Sequence, residues 1–418
     1  MSKRPFCYFD NNATTRVAPE VVEAMLPFYT ELWGNPSSAY RFGKEVARRL
    51  DEARARLAEF INAEPLEIVF TSCGTESNNT AIHSTLATHP ARRHVLTTAV
   101  EHSATLKCCR QLQQRGYEVT FLPVEEDGTL DLHRLEKSIR PDTALVSVMW
   151  ANNETGVLFP VEEIAAICRS KGVSCHTDAI QVAGKLPIDV KALGVELLSL
   201  SAHKFHAPKG VGMLYVRSHT RFSPHILGGQ QERGRRGGTE NVAGIVGMAR
   251  AADIAASNLA QEKTRVRALR DRLERGVFAS IRATARNGAR EPRLPNTANL
   301  SFEGVEAEGI LIGLDQAGIC ASSGSACTSG SVEPSHVLLA MGLRPERAAS
   351  CVRFSLGIGN TEAEVDHLLD VLPGIVRRMR DASPAGVRHS TAGGTGQADA
   401  EQDDKAAHGL EGAERFAQ

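Results

Sequence analysis

The chain has 418 residues, 42% hydrophobic and 23% charged, enough for one large domain plus a smaller one. Its formal net charge of -1 carries no global basic bias toward nucleic acid or an anionic membrane, and no apolar run approaches a membrane span. Asp10 follows too soon on the start for a signal peptide. The nine cysteines are odd in number, irregularly spaced and without a C-x-x-C pair, which argues against a disulfide framework or a metal site and for a cytoplasmic protein.

Residues 19–31 and 39–62 read as helices, the first opened by Pro19, the second carrying apolar residues at helical spacing. Gly34-Asn35-Pro36-Ser37-Ser38 between them is turn chemistry. Strands and helices then alternate: strand 67–72, helix 75–87, strand 94–100, helix 104–115, strand 118–124, helix 131–139, strand 143–150, helix 161–171, strand 173–177. Further strands are expected at 197–202 and 212–216. This alternation predicts an α/β domain with a mainly parallel sheet, its ligand beyond the carboxyl ends of the strands. From about Asn241 the character changes. A long helical region, 243–282, precedes strands near 297–302 and 319–321, a Gly/Ser-rich loop at 322–335, a strand at 350–356 and a helix at 362–379. That pattern predicts a smaller α+β domain. After about residue 383 large apolar residues almost vanish, so disorder is expected.

Lys204, in Ser201-Ala202-His203-Lys204, follows a core strand, where an isolated ammonium is costly to desolvate. Pairing the charge, or losing it in an imine with an aldehyde cofactor, avoids that cost; a surface lysine is the plain alternative. A pyridoxal-phosphate site also needs a phosphate cup, an acid for the ring nitrogen, a stacking partner and a carboxylate clamp. Gly74 and Thr75 stand between a strand and a helix, where backbone N–H groups suit a phosphate or form an ordinary helix cap; Ser201 and His203 would add donors. Asp178 ends a strand and suits the ring nitrogen, with a capping aspartate as the competing reading. Gln181, three residues on, faces the same way in a helical turn, toward the ring hydroxyl. His102 suits ring stacking or a helix cap, and Asn153 a contact to ring hydroxyl or substrate, or a turn. Arg353, opening an apolar strand, suits a bidentate carboxylate contact or a structural ion pair. Cys327 sits in Ser322-Ser323-Gly324-Ser325-Ala326-Cys327-Thr328-Ser329-Gly330-Ser331, a run too small and polar to pack. It would bring a thiolate to a bound substrate; an incidental loop cysteine is the alternative.

Together these residues resemble the cysteine desulfurases, fold-type I pyridoxal-phosphate enzymes of the aminotransferase class V superfamily. The resemblance runs from Tyr8-Phe9-Asp10-Asn11-Asn12-Ala13-Thr14-Thr15 to Arg353-Phe354-Ser355-Leu356, through Thr71-Ser72-Cys73-Gly74-Thr75-Glu76-Ser77-Asn78, Thr177-Asp178-Ala179, Ala202-His203-Lys204 and Ser323-Gly324-Ser325-Ala326-Cys327. Met149-Trp150-Ala151-Asn152-Asn153-Glu154-Thr155-Gly156 and Gln231-Glu232-Arg233-Gly234-Arg235-Arg236-Gly237-Gly238-Thr239-Glu240-Asn241 are similar to its nitrogen-fixation branch; Ala202 stands where relatives often have glycine. The resemblance implies an α/β fold-type I transferase with a mainly parallel seven-stranded sheet and a smaller α+β domain. The expected division is an N-terminal segment 1–15, a large domain 16–260, a small domain 261–382 sharing part of that segment, and a tail 383–418. It implies Lys204 as the imine anchor, Asp178 at the ring nitrogen, Gln181 at the ring hydroxyl and His102 stacked on the ring. Gly74, Thr75, Ser201 and His203 would hold the phosphate, joined by Thr239 from the partner subunit of a homodimer. Asn12, Asn153 and Arg353 would meet the substrate. Cys327 would take sulfur from L-cysteine as a persulfide, leave alanine, and deliver the sulfur to an iron–sulfur scaffold protein for nitrogenase metalloclusters, transiently touching the acceptor's cluster. A housekeeping desulfurase, a selenocysteine lyase and a cysteine sulfinate desulfinase are the neighbouring readings.

Overall fold

A computed structural model describes residues 6–323 and 334–382. Cys327 and its loop, and the tail from residue 383, lie outside the described residues, and so do the readings made of them. In chain order the strands are β1 (Cys7–Tyr8), β2 (Ile68–Thr71), β3 (His94–Thr98), β4 (Glu118–Leu122), β5 (Thr143–Met149), β6 (Ser174–Asp178), β7 (Leu197–Ser201), β8 (Gly212–Val216), β9 (Thr284–Arg286), β10 (Thr297–Phe302), β11 (Ile319–Cys320), β12 (Ser322–Ser323) and β13 (Cys351–Ser355).

Strands β2 to β8 make a seven-stranded sheet in the order β2-β8-β7-β6-β5-β3-β4. Neighbours from β7 to β4 run parallel, while β8 is antiparallel to both β7 and β2. The reversal has a simple cause. A parallel partner needs a crossover, usually through a helix, and the loop between β7 and β8 holds only one short turn. Every residue of β5 is buried, as helices on both faces of a parallel sheet require. The expected mainly parallel α/β architecture is present.

Against this sheet lies the helix Arg41–Phe60, which buries Val46, Leu50, Ala53, Leu57 and Ala58 at helical spacing. It packs on the helix Val242–Gln261, whose buried face is largely alanine and glycine. A second hydrophobic cluster gathers Cys7 and Phe9 with Leu269, Leu273, Leu300, Phe354, Leu368 and Ile375. Its sheet, β12-β13-β10-β9, is antiparallel, and β1 pairs with β11 beside it.

Three readings change. The first helix breaks into Pro19–Met25 and Pro27–Thr30, because Pro27 has no N–H to continue the ladder. The long helical region switches to a π turn at Glu262–Val266 before resuming as Arg267–Ser280. Ser322 and Ser323, read as loop, pair with Arg353 and Val352 of β13.

One buried ion pair fixes the segment before Thr239. Arg54 donates from Nη2 to Glu232 Oε1 (2.6 Å) and from Nη1 to Glu232 Oε2 (2.8 Å), and Glu232 also accepts from Phe70 N (2.9 Å). Glu232 and Arg233 sit at φ 49° and 59°, a left-handed conformation costly for side-chain-bearing residues, and the pair holds them there. Glu232→Gln strands the Arg54 charge and should cost about 3 kcal/mol. Urea unfolding measures it; a loss below about 1 kcal/mol would refute this role for the pair.

Candidate active site

Every expected anchor point of the large sheet lies beyond a carboxyl end: Gly74 after β2, His102 after β3, Asn153 after β5, Asp178 ending β6, and Ser201 to Lys204 ending β7. Open α/β sheets concentrate ligands there. A single 3-10 turn, Ala202–Lys204, carries the lysine off the strand. Its Nζ donates to the backbone carbonyls of Asn12 (2.7 Å) and Ala13 (2.8 Å). The Asn12 carbonyl also accepts from Gln181 Nε2 (3.0 Å), so one oxygen joins lysine and glutamine. Gln181 Oε1 is buried without a protein partner among the described residues.

Asp178 is buried. Its Oδ2 accepts from Asn78 Nδ2 at 2.6 Å and its Oδ1 from Ile180 N at 3.0 Å. Burial pushes its carboxyl above the usual range, opposed by those two bonds and by His102 and Lys204. Burial depresses the His102 imidazole, with Asp178 acting the other way and Lys204 adding to the depression. His102 Nδ1 also accepts from Ala104 N (3.1 Å), so it does cap the helix Ser103–Gln114. Capping fixes the ring's position.

The helix Gly74–Thr88 begins against the end of β7. A Cβ on Gly74 would lie 2.1 Å from Ile180 Cδ1 and 3.3 Å from Ser201 Cβ, so any other residue here requires the Ile180 side chain to move. Ser201 Oγ is buried without a protein partner among the described residues. His203 lies within 3.1 Å of Thr14 Oγ1 through Nδ1, and burial, helped by Lys204, Lys209 and Lys185, lowers it to about 4. It is therefore a neutral hydrogen-bonding group near pH 7. Thr75 is exposed beside Gly74.

Arg353 is buried on β13. Its Nη2 donates to Asp10 Oδ1 (2.7 Å) and its Nη1 to Asn153 O (3.1 Å), while Nε has no protein partner among the described residues. The ion pair weighed in the sequence is thus present, and the guanidinium keeps a buried donor besides. Asn12 Nδ2 donates to Asn153 O (3.1 Å) and Thr297 Oγ1 (2.9 Å), and its Oδ1 accepts from Asn296 Nδ2 (3.0 Å); its side-chain amide is committed to the protein. Asn153 itself lies within a turn in which Asn152 Oδ1 accepts from Glu154 N and Thr155 N, both at 2.9 Å, so the turn role weighed in the sequence is present.

Thr239 stands apart, exposed, in a segment docked to the start of helix Gly74–Thr88 by Arg236 Nε donating to Glu76 Oε1 (2.9 Å). Asn78 and Asp10 are the partners of candidate residues to which sequence reasoning gave no role. Asn78 lies on the buried face of a helix whose buried residues also include Ser77, Thr80, Ser84 and Thr85. So polar a buried face was the available signal. Asp10 had none, since its partner Arg353 is at the other end of the chain.

Residues 7–368 match the aminotransferase class-V family. Cysteine desulfurase 2 of Trichormus variabilis is 52% identical over 377 residues, spanning 90% of this chain and 94% of the relative. The cysteine desulfurase NifS of Azotobacter vinelandii is 52% identical over 378 residues, with the same coverage, 90% and 94%. A solved NifS-like protein superposes with a TM-score of 0.85 at 40% identity, covering 90% of this chain and all of the other. The chain belongs to the class-V aminotransferase family, among its NifS-type cysteine desulfurases.

Proposed function

We propose that this chain is a pyridoxal-phosphate-dependent cysteine desulfurase that takes sulfur from L-cysteine, releases L-alanine, and holds the sulfur as a persulfide on Cys327. The observation that carries the reading is Lys204 at the carboxyl edge of β7, grouped with a buried Asp178, in a chain of this family.

The residues present fit the cofactor. Ser201 Oγ and Gln181 Oε1 are buried polar atoms that no protein group among the described residues satisfies, and such atoms are costly unless something meets them. A Cβ at Gly74 would crowd Ile180 and Ser201 at the start of the helix Gly74–Thr88. Asp178 is buried and raised, and a cationic ring N–H beside it would restore its charge. When bound, pyridoxal phosphate supplies an aldehyde for imine exchange and a ring that stores electrons. Lys204 anchors it through Nζ and carries the proton taken from the substrate Cα. Gly74, Thr75, Ser201 and His203 hold the phosphate, and His102 packs on the ring. Gln181 meets the ring hydroxyl. Arg353 receives the substrate carboxylate with Asn153. Asn12 works by position: its carbonyl holds Lys204 and Gln181, and its amide holds Asn153. Cys327 supplies the thiolate that takes the substrate sulfur, so one C–S bond breaks and one S–S bond forms.

The large, cofactor-holding domain is assigned to 16–260 and the small one to 261–382 with part of 1–15. The hydrophobic cluster joining Cys7 and Phe9 to the C-terminal helices supports the small unit, while the cluster around the seven-stranded sheet also takes in Leu294, Val337, Leu338 and Met341. A homodimer, with Thr239 reaching the partner subunit's phosphate, is supported by that residue's exposure and by the exposed Tyr29, Trp33, Tyr40 and Leu227. The acceptor is assigned as an iron–sulfur scaffold protein serving nitrogenase metalloclusters, on likeness to the NifS relative. Among the described residues no helix is long and apolar enough to cross a membrane, and their eight cysteines are all free, which suits a reducing cytoplasm.

Cys327→Ser protein should stay yellow and release no alanine or sulfide from cysteine, whereas Lys204→Ala protein should form no borohydride-reducible link to the cofactor. Normal turnover by Cys327→Ser would sink the persulfide reading. Gly74→Ala should weaken cofactor retention at least about tenfold, measured by dialysis and absorbance; undiminished retention would remove the cradle from the account. Thr239→Val should weaken retention by about tenfold, the worth of one charge-assisted hydrogen bond. An unchanged affinity would count against a site shared between subunits.

A further inference from the structure

Behind the lysine turn lies a cavity of about 20 Å³ lined by Lys185, Phe205, His206, Ala255, Glu262 and Ile358, among others. It is large enough for one water molecule. Lys185 and Glu262 are each only 5% exposed. Among the described residues neither Lys185 Nζ nor Glu262 Oε2 has a protein partner. A buried charge in that position is expensive unless something bridges it.

The two residues sit at a mechanical junction. Lys185 closes the turns after Asp178 and Gln181, its N–H donating to Val182 O (2.9 Å). Glu262 opens the π turn between the helices Val242–Gln261 and Arg267–Ser280; such turns often mark functional hinges. From that turn Arg265 Nη1 donates to Asn360 O (2.6 Å), and its Nη2 to Ile358 O. The Ile358 backbone hydrogen bond also favours the Glu262 carboxylate. Leu356 to Asn360 follow directly on β13, the strand of Arg353. Burial draws the Lys185 ammonium down to about 8 while Glu262 opposes it. It pushes the Glu262 carboxyl up to about 7 against Lys185 and Arg265. Each group is therefore the other's counter-charge.

We propose that Lys185 and Glu262 form a water-bridged strut that sets the distance between the Asp178–Lys204 wall and the strand carrying Arg353, making both positioning residues for the substrate carboxylate. The proposal rests on Arg353 being that carboxylate's site.

The test uses holoenzyme variants Glu262→Gln, Lys185→Met and the double Lys185→Met/Glu262→Met, with Arg353→Lys alongside. Each single variant should raise KM for cysteine about tenfold with kcat within about twofold, and should speed hydrogen exchange of the 356–360 amides. In the double variant neither position of the pair keeps a buried charge, and Arg265 retains its bonds to the Asn360 and Ile358 carbonyls, so both readouts should return most of the way. Singles with unchanged exchange at 356–360, or a double variant as impaired as the sum of the singles, would overturn the strut. If exchange follows the expected pattern but Arg353→Lys leaves KM unchanged, the carboxylate assignment fails and the strut stands as a structural coupling.

Discussion

Two backbone carbonyls, those of Asn12 and Ala13, receive the ammonium of Lys204, and the site is arranged around that contact. A lysine at a buried strand end needs acceptors, and carbonyls offer them without neutralising the charge. They come from a short N-terminal strap rather than from the sheet. The strap is held on one side by Thr15 N donating to His203 O (2.9 Å), and on the other by Asn11 N donating to Ser355 O (3.0 Å). It therefore ties the lysine turn to β13, and anything that displaces one relative to the other is felt at the lysine.

The buried polar groups explain why the site is specific in shape. Asn78 is bonded to Asp178, and Gln181, Asn12, Asn153 and Arg353 are joined through backbone carbonyls, each bond bringing together residues distant in the chain. In a medium of low polarity such networks are rigid when satisfied and costly when not. Among the buried atoms without a protein partner in the described residues are Ser201 Oγ, Gln181 Oε1 and Arg353 Nε, which belong to residues proposed to meet cofactor and substrate. The same logic separates His203 from His102. Three lysines help hold the first neutral, while the carboxylate of Asp178 works against burial at the second.

Local pattern made much of this legible. Period and length located β5, β8, β10 and the helix Val161–Lys171, because buried strands and amphipathic helices leave strong marks. Chemistry singled out Lys204, Asp178 and Gly74, because each is odd where it stands, and the fold gathers them beyond the carboxyl ends of β7, β6 and β2. What escaped was set by distant partners. Asp10 belongs to the site through Arg353, and Asn78 through Asp178. Ser322 and Ser323 have little strand preference of their own and extend only because β13 pairs with them. Pro27 was a local signal that the wider helical pattern obscured. The competing readings of His102 and Arg353 were both right in part, since a side chain that must be held still for chemistry is often held by a cap or an ion pair.

The strap has a consequence for how the protein is made. Chains emerge from the ribosome N-terminus first, so residues 10–15 are available from the outset. Their bridging partner, Ser355, is synthesised near the end. Until then the strap can reach the lysine turn but not its second anchor. The second anchor of the lysine pocket therefore exists only once β13 has been translated, 344 residues after Asn11 of the strap.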